Sequence, residues 1–266
     1  MKGKLRNFAL YIVGAVLSIG LGCEAAKANL ILSPIYVDLT ANRGKSEGVL
    51  NVGNSSNEAI RVRLFPKFFS YNRDGEFQEL TESDERNLSP YLQFSPREIV
   101  VEPGKVRRVR LLSLLPPSLP DGEYRVAIFA ETLSSGVVQS GYRVNLISRV
   151  GAAIYVRKGN VTSDLQVATA SFNRENQQLR LLLRNQGQAT ARPKIQWSLK
   201  QGEKLIVSEG VGTSVVGGME QNVLLNRNAQ NKLNVNPGKY QLLGEVVWKD
   251  GDRQKTLPFN LDLDIP

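Results

Sequence analysis

The chain has 266 residues, 41% hydrophobic and 22% charged, with a formal charge of +9, one cysteine and no histidine. Without histidine, and with Cys23 as its sole thiol, it has no Ser-His or Cys-His dyad, no disulfide framework and no cysteine-based zinc site. A carboxylate-only hydrolase remains possible, since glycosidases need just two Asp or Glu side chains, but no acidic spacing points to it. No catalytic residue, metal ligand, cofactor or small-molecule substrate is expected.

The first residues, MKGKLRNFALYIVGAVLSIGLGCEAAKA, place Lys2, Lys4 and Arg6 before an apolar run from Phe8 to Leu21. Ala26 and Ala28 then form an A-x-A pattern. This is the layout of a secretory signal peptide over residues 1–28, with an apolar run short for a bilayer span. Leu21-Gly22-Cys23 is a partial match to a lipoprotein cleavage motif, with Gly20 where leucine is usual, whereas cleavage after Ala28 removes Cys23. Residues 1–28 carry +3 of the formal charge (Lys2, Lys4, Arg6 and Lys27 against Glu24), leaving +6 on the rest. That charge is scattered along an exported chain, so nucleic acid is not an expected partner.

After residue 28 the length suits two domains, 29–157 and 165–266, joined by a linker at 158–164. Strand signals dominate both. GVLNVGNSS ends in a turn cluster, and IRVRLFPKFFSYN alternates until it meets Arg73-Asp74-Gly75, a hairpin signal. TESDERNLSPYL has room for one short helical turn. EIVV and VRRVRLL flank Pro103-Gly104-Lys105, with Val109 and Leu111 on one face and Arg108 and Arg110 on the other, as in a sheet with one wet side. The Gly/Ser-rich stretch LSSGVVQSG reads as a loop. From Tyr142 to Arg157 the even positions are mostly apolar, which predicts one strand much longer than usual. Its first half has two readings, part of a central core strand or a protruding edge offered to another protein. LQVATASF, QLRLLLRN, PKIQWSL, KYQLLGEVVWKDG and KTLPFNLDL predict further strands, with Trp197 and Trp248 as core residues on facing strands. The fold class is all-β, two immunoglobulin-like β-sandwiches.

The stretch YLQFSPREIVVEPGKVRRVRLLSLLPPSLPDGEYRVAIFAE resembles the first domain of the periplasmic pilus-assembly chaperones of the usher pathway. The matching positions are Pro96, Glu102-Pro103-Gly104, Arg108, Arg110, Pro120, Glu123 and Phe129, and LSPIYVDLT and LNVGNSS resemble the family's first two strands. The resemblance implies a periplasmic protein with its two sandwiches in an L or boomerang. It implies a mechanism as well, in which the chaperone lends an edge strand to a pilin-like or other immunoglobulin-like secreted subunit lacking its final strand, then hands it to an outer-membrane usher. The lending strand maps to Tyr142, Val144, Leu146 and Ser148. An interdomain ion pair maps to Glu123 and Arg157, with Asp250 as the second-domain partner. The basic pair that holds the subunit's terminal carboxylate in the family maps to Tyr36 and Ala153, neither of them basic, with Arg149 or Arg157 as candidate substitutes. The second reading of the residues is an envelope structural or adhesive protein, tethered through Cys23 if lipidated, that uses the sandwiches as a rigid spacer.

Overall fold

Period-two alternation becomes strands in both halves of the chain. The computed structural model describes residues 30–80, 84–133, 137–139, 142–144, 147–226 and 233–265, with the backbone alone at 137–139 and 142–144. Residues 1–28, Cys23 and Leu146 lie outside the described residues. The first half contributes β1 (Leu30–Ser33), β2 (Tyr36–Thr40), β3 (Lys45–Asn54), β4 (Ile60–Lys67), β5 (Phe69–Tyr71), β6 (Phe77–Glu79) and β7 (Leu92–Ser95). It continues with β8 (Glu98–Val101), β9 (Val106–Leu114), β10 (Gly122–Thr132), β11 (Val137–Gln139), β12 (Tyr142–Val144) and β13 (Arg149–Lys158). The second half contributes β14 (Leu165–Asn173), β15 (Gln178–Asn185), β16 (Lys194–Gln201), β17 (Lys204–Gly212), β18 (Glu220–Leu224), β19 (Gly238–Asp250) and β20 (Arg253–Ile265). Among the described residues the helical content is one 3-10 turn at Ser89–Tyr91, inside TESDERNLSPYL.

The first sandwich packs a four-stranded sheet, β1-β3-β9-β7, against a five-stranded one, β2-β13-β10-β4-β8. Leu50, Val52, Val109 and Leu111 from one sheet meet Val62, Leu64, Tyr124, Val126, Ile128 and Ile154 from the other. Arg108 and Arg110 stand on the opposite, exposed side of β9, as alternation requires. The second sandwich packs β14-β15-β18 against β17-β16-β19-β20 around Leu181, Leu183, Trp197, Val223, Leu242 and Val246. Trp197 and Trp248 are both buried, but on neighbouring strands of one sheet rather than on facing strands. β16 and β19 pair directly, a long-range choice that alternation leaves open. Each sandwich carries a tyrosine whose hydroxyl donates back to the carbonyl four residues earlier, Tyr124 to Pro120 at 2.6 Å and Tyr240 to Asn236 at 2.8 Å. Such corners are a mark of immunoglobulin-like sandwiches.

The long strand expected from Tyr142 to Arg157 is divided. β13 begins at Arg149, and Tyr142–Val144 pairs instead with Val137–Gln139 as the hairpin β11-β12. The Gly/Ser-rich stretch read as a loop therefore contains a strand. An unsupported protruding strand leaves backbone donors and acceptors unpaired on both sides, and folding back satisfies one side locally.

Candidate functional site

β10 is the middle strand of the five-stranded sheet, and nearly all of its residues are buried on both faces. One face, Tyr124, Val126, Ile128 and Ala130, fills the first core. The other carries Glu123, Arg125, Ala127, Phe129 and Glu131, and β13 sets Arg157, Tyr155, Ala153, Gly151 and Arg149 directly beside them. This outer face has three zones: an ion-paired base, an aromatic middle with a cleft, and an open upper edge.

At the base, Glu123 has a side chain only 2% exposed and accepts from Arg157 Nε at 3.1 Å. It also accepts from the Thr190 amide at 3.0 Å and from the Thr190 hydroxyl. Arg157 Nη2 returns to the Thr190 carbonyl at 2.9 Å, and its Nη1 lies 3.9 Å from Asp250 Oδ1. Asp250 is itself held by Lys255 at 2.9 Å and by the Ser163 amide at 3.1 Å. Burial pushes the Asp250 carboxyl up, but the bonds from Lys255 and Ser163 outweigh it and leave the group below its ordinary value. The structure thus brings Glu123, Arg157 and Asp250 together across the two sandwiches. Thr190 joins them through its amide, its carbonyl and its hydroxyl, a contact that no sequence spacing signals.

In the middle, Tyr36 of β2 and Ala153 of β13 are direct partners in a parallel pairing. Above them, Arg192 of the second sandwich lies over the rings of Tyr36 and Tyr155, 4.2 and 4.6 Å from their centroids, and pairs with Asp38 at 2.7 Å. Burial pushes the Tyr155 hydroxyl well above its ordinary value, so it remains neutral beneath the guanidinium. Arg192, exposed Lys194, Thr213 and Gln221 share a cleft of ≈ 460 Å³ with Tyr36, Tyr71 and Tyr155. Ile35, 68% exposed, stands at the same cleft. Sequence reasoning missed Arg192 and Lys194. They sit in ARPKIQW, a stretch that reads only as the start of a strand, and an interdomain contact alone sets them against Tyr36.

At the top, β2 pairs with residues 153–157 of β13 but not with 149–152. Ala153 donates its amide to the Ile35 carbonyl at 2.9 Å, so by alternation the backbone groups of Gly151 and Arg149 face that same side, where no strand pairs among the described residues. Ser148 is coil, tied to the end of β10 through its carbonyl to the Thr132 amide at 3.0 Å and its amide to Thr132 Oγ1 at 2.9 Å. Tyr142 and Val144 lie in β12, and Leu146 lies outside the described residues.

Arg149 shares the outer face with Ala153 but stands four residues away, about 13 Å along the strand. Its guanidinium is taken up by Glu131 Oε2 at 2.8 and 2.5 Å and stacks on Phe65. Arg149 beside it holds the Glu131 carboxyl below the ordinary carboxylate range. Neither Arg149 nor Arg157, which is bound to Glu123, reaches the Tyr36–Ala153 position as a free cation. No group of three or more acidic or thiol side chains fit for a metal occurs among the described residues, and none of their helices is long and apolar enough to cross a membrane.

Comparison by sequence finds no matching family model and no matching curated protein. Comparison of structures finds the class 5 fimbriae chaperone CfaA, 16% identical, with a TM-score of 0.51 over 90% of this chain and all of that one. A chain of the CsuC–CsuE chaperone–tip adhesion subunit pre-assembly complex from Acinetobacter baumannii is 17% identical, with a TM-score of 0.47 over 89% of this chain and 98% of that one. The CupB2 chaperone of Pseudomonas aeruginosa is 15% identical, with a TM-score of 0.46 over 87% of this chain and all of that one. The likeness to CfaA is one of fold: this chain has the two-sandwich architecture of a fimbrial chaperone along nearly its whole length.

Proposed function

We propose that this protein is an exported, periplasmic chaperone that receives incomplete pilus-type subunits by strand donation and passes them on for assembly at the cell surface. The observation that carries the reading is the edge of β13: paired with β2 at residues 153–157, it has no strand beside it over residues 149–152 among the described residues, next to a cleft walled by both sandwiches. A subunit missing a strand has unpaired backbone groups and an apolar groove, and such an edge supplies the complementary ladder. The strand Tyr142–Val144 precedes this edge in the chain, and in this reading Tyr142, Val144 and Leu146 are the side chains offered to the groove. A fully buried Val or Leu contributes about 1.5–3 kcal/mol.

The subunit's terminal carboxylate, if it enters the cleft beside Tyr36 and Ala153, meets Lys194 and Arg192 from the second sandwich. Lys194 is exposed at the cleft, whereas Arg192 is already paired with Asp38. In this assignment a lysine on β16 takes the place of the family's first-domain pair, which brings the second domain into holding the subunit. An usher partner and the signal peptide at 1–28 belong to the same reading.

The test is co-purification of the tagged chain from its native host, beside a folded Val144→Arg/Leu146→Arg variant. A small β-rich secreted subunit retained by the parent and lost by the variant is the expected result. A parent that returns alone, or a variant that keeps every partner, overturns strand donation in favour of the spacer reading.

A further inference from the structure

The hairpin formed by β5 and β6 belongs by sequence to the first sandwich, but its tip rests on the second. Its root is fixed by aromatic packing. Phe69, fully buried, stacks on Phe77 with centroids 5.2 Å apart and meets Tyr155 edge-on at 6.0 Å. Phe77 meets Phe129 edge-on at 5.7 Å, and Arg125 Nε donates to the Phe69 carbonyl at 3.0 Å. The tip is closed by its own bonds, Gly75 N to Asn72 O at 2.9 Å and Asn72 Oδ1 accepting from the amides of Asp74 and Glu76. Gly75 has φ +79°, which favours glycine, and a Cβ there would come within 2.7 Å of Gln221 Nε2, so the turn lies against the Gln221 side chain of the second sandwich.

That approach is met by complementary groups. The Asn222 amide donates to the Arg73 carbonyl at 2.6 Å, and Asn222 Nδ2 donates to Asp74 Oδ1 at 2.9 Å. Asp74 lies 3.5 Å from Arg180, Arg73 pairs with Glu220 at 3.1 Å, and Ser70 Oγ donates to Met219 Sδ at 3.3 Å. Asn222 sits in β18, the outermost strand of its three-stranded sheet, so its amide lies on an edge otherwise open to another strand.

We propose that the Phe69–Glu79 hairpin is an intramolecular strap: it caps the edge of β18 and, as a further attachment beside the Glu123–Arg157–Thr190 network and the Arg192–Asp38 pair, holds the cleft at one width. Several separate attachments suppress the bending that one linker allows. Tyr71 and Gly75 of the strap line the same cleft as Arg192 of the second sandwich, so strap and cleft width are linked geometrically. The strap holds whether or not the protein is a chaperone.

The test uses the purified full chain, read by amide exchange at Asn222 and by small-angle scattering. Asp74→Arg sets a like charge against Arg180 and removes the acceptor of Asn222 Nδ2. Asp74 is 52% exposed, so the fold tolerates the change. Expected are an Asn222 exchange rate raised about tenfold or more and a wider spread of interdomain distances, with Asp74→Arg/Arg180→Asp returning both toward the parent. Exchange within about twofold of the parent in Asp74→Arg overturns the proposal, as does a folded double variant that fails to restore it.

Discussion

The two halves of β13 follow one alternation rule and meet different fates. From Ala153 to Arg157 the strand has β10 on one side and β2 on the other, Tyr155 lies beneath Arg192, and Arg157 is locked to the second sandwich. From Arg149 to Ala152 it keeps β10 but lacks the second neighbour among the described residues, and its one outward charge pairs within its own sheet. The strand is thus paired on both sides where the domains meet and, among the described residues, on one side only beyond that point.

The comparison is broken most severely at the anchored end. Glu123→Ala leaves Arg157 and the Thr190 amide without their acceptor in a buried interface, and is expected to cost about 3–5 kcal/mol, read by urea unfolding. Phe69→Ala empties the aromatic middle beside Tyr155 and is expected to cost about 3 kcal/mol by the same measure. Acid acts on the base of the strand through Asp250. Its folded pKa lies below its unfolded value, so its contribution is fully present above about pH 4 and is lost as pH falls through the folded pKa. Asp250→Asn is expected to flatten the acid limb of a melting-temperature profile below about pH 4 while leaving its shape above pH 6 unchanged. The smallest effect belongs to the open end. Arg149→Gln removes a half-exposed partner of Glu131, which keeps Arg63 at 3.0 Å, and calorimetry is expected to show a melting temperature within about 2 °C of the parent. If Arg149→Gln proves as costly as Glu123→Ala, the two ends are equally structural and the contrast between them fails.

Legibility in sequence followed the range of the interaction. The split of Arg108 and Arg110 from Val109 and Leu111, the hairpin at Arg73-Asp74-Gly75 and the Gly104 turn are written within a few residues and could be read there. The meeting of Glu123, Arg157 and Asp250 was reached through a family resemblance, since spacings of 34 and 93 residues carry no geometric signal. The break before Arg149 was not legible, because alternation continues through it. Arg192 and Lys194 had no readable signal at all.

By itself, then, the sequence determined an all-β chain in two halves, since side-chain period and turn chemistry are local properties of the backbone. Only the tertiary structure decided that Trp197 and Trp248 share a sheet, that β2 stops pairing with β13 at Ala153, and that a hairpin of the first sandwich rests on β18 of the second. Those outcomes depend on which strand lies across from which. Partner choice is set by burial and hydrogen bonding between residues far apart in the chain, and alternation is the same on either side of it.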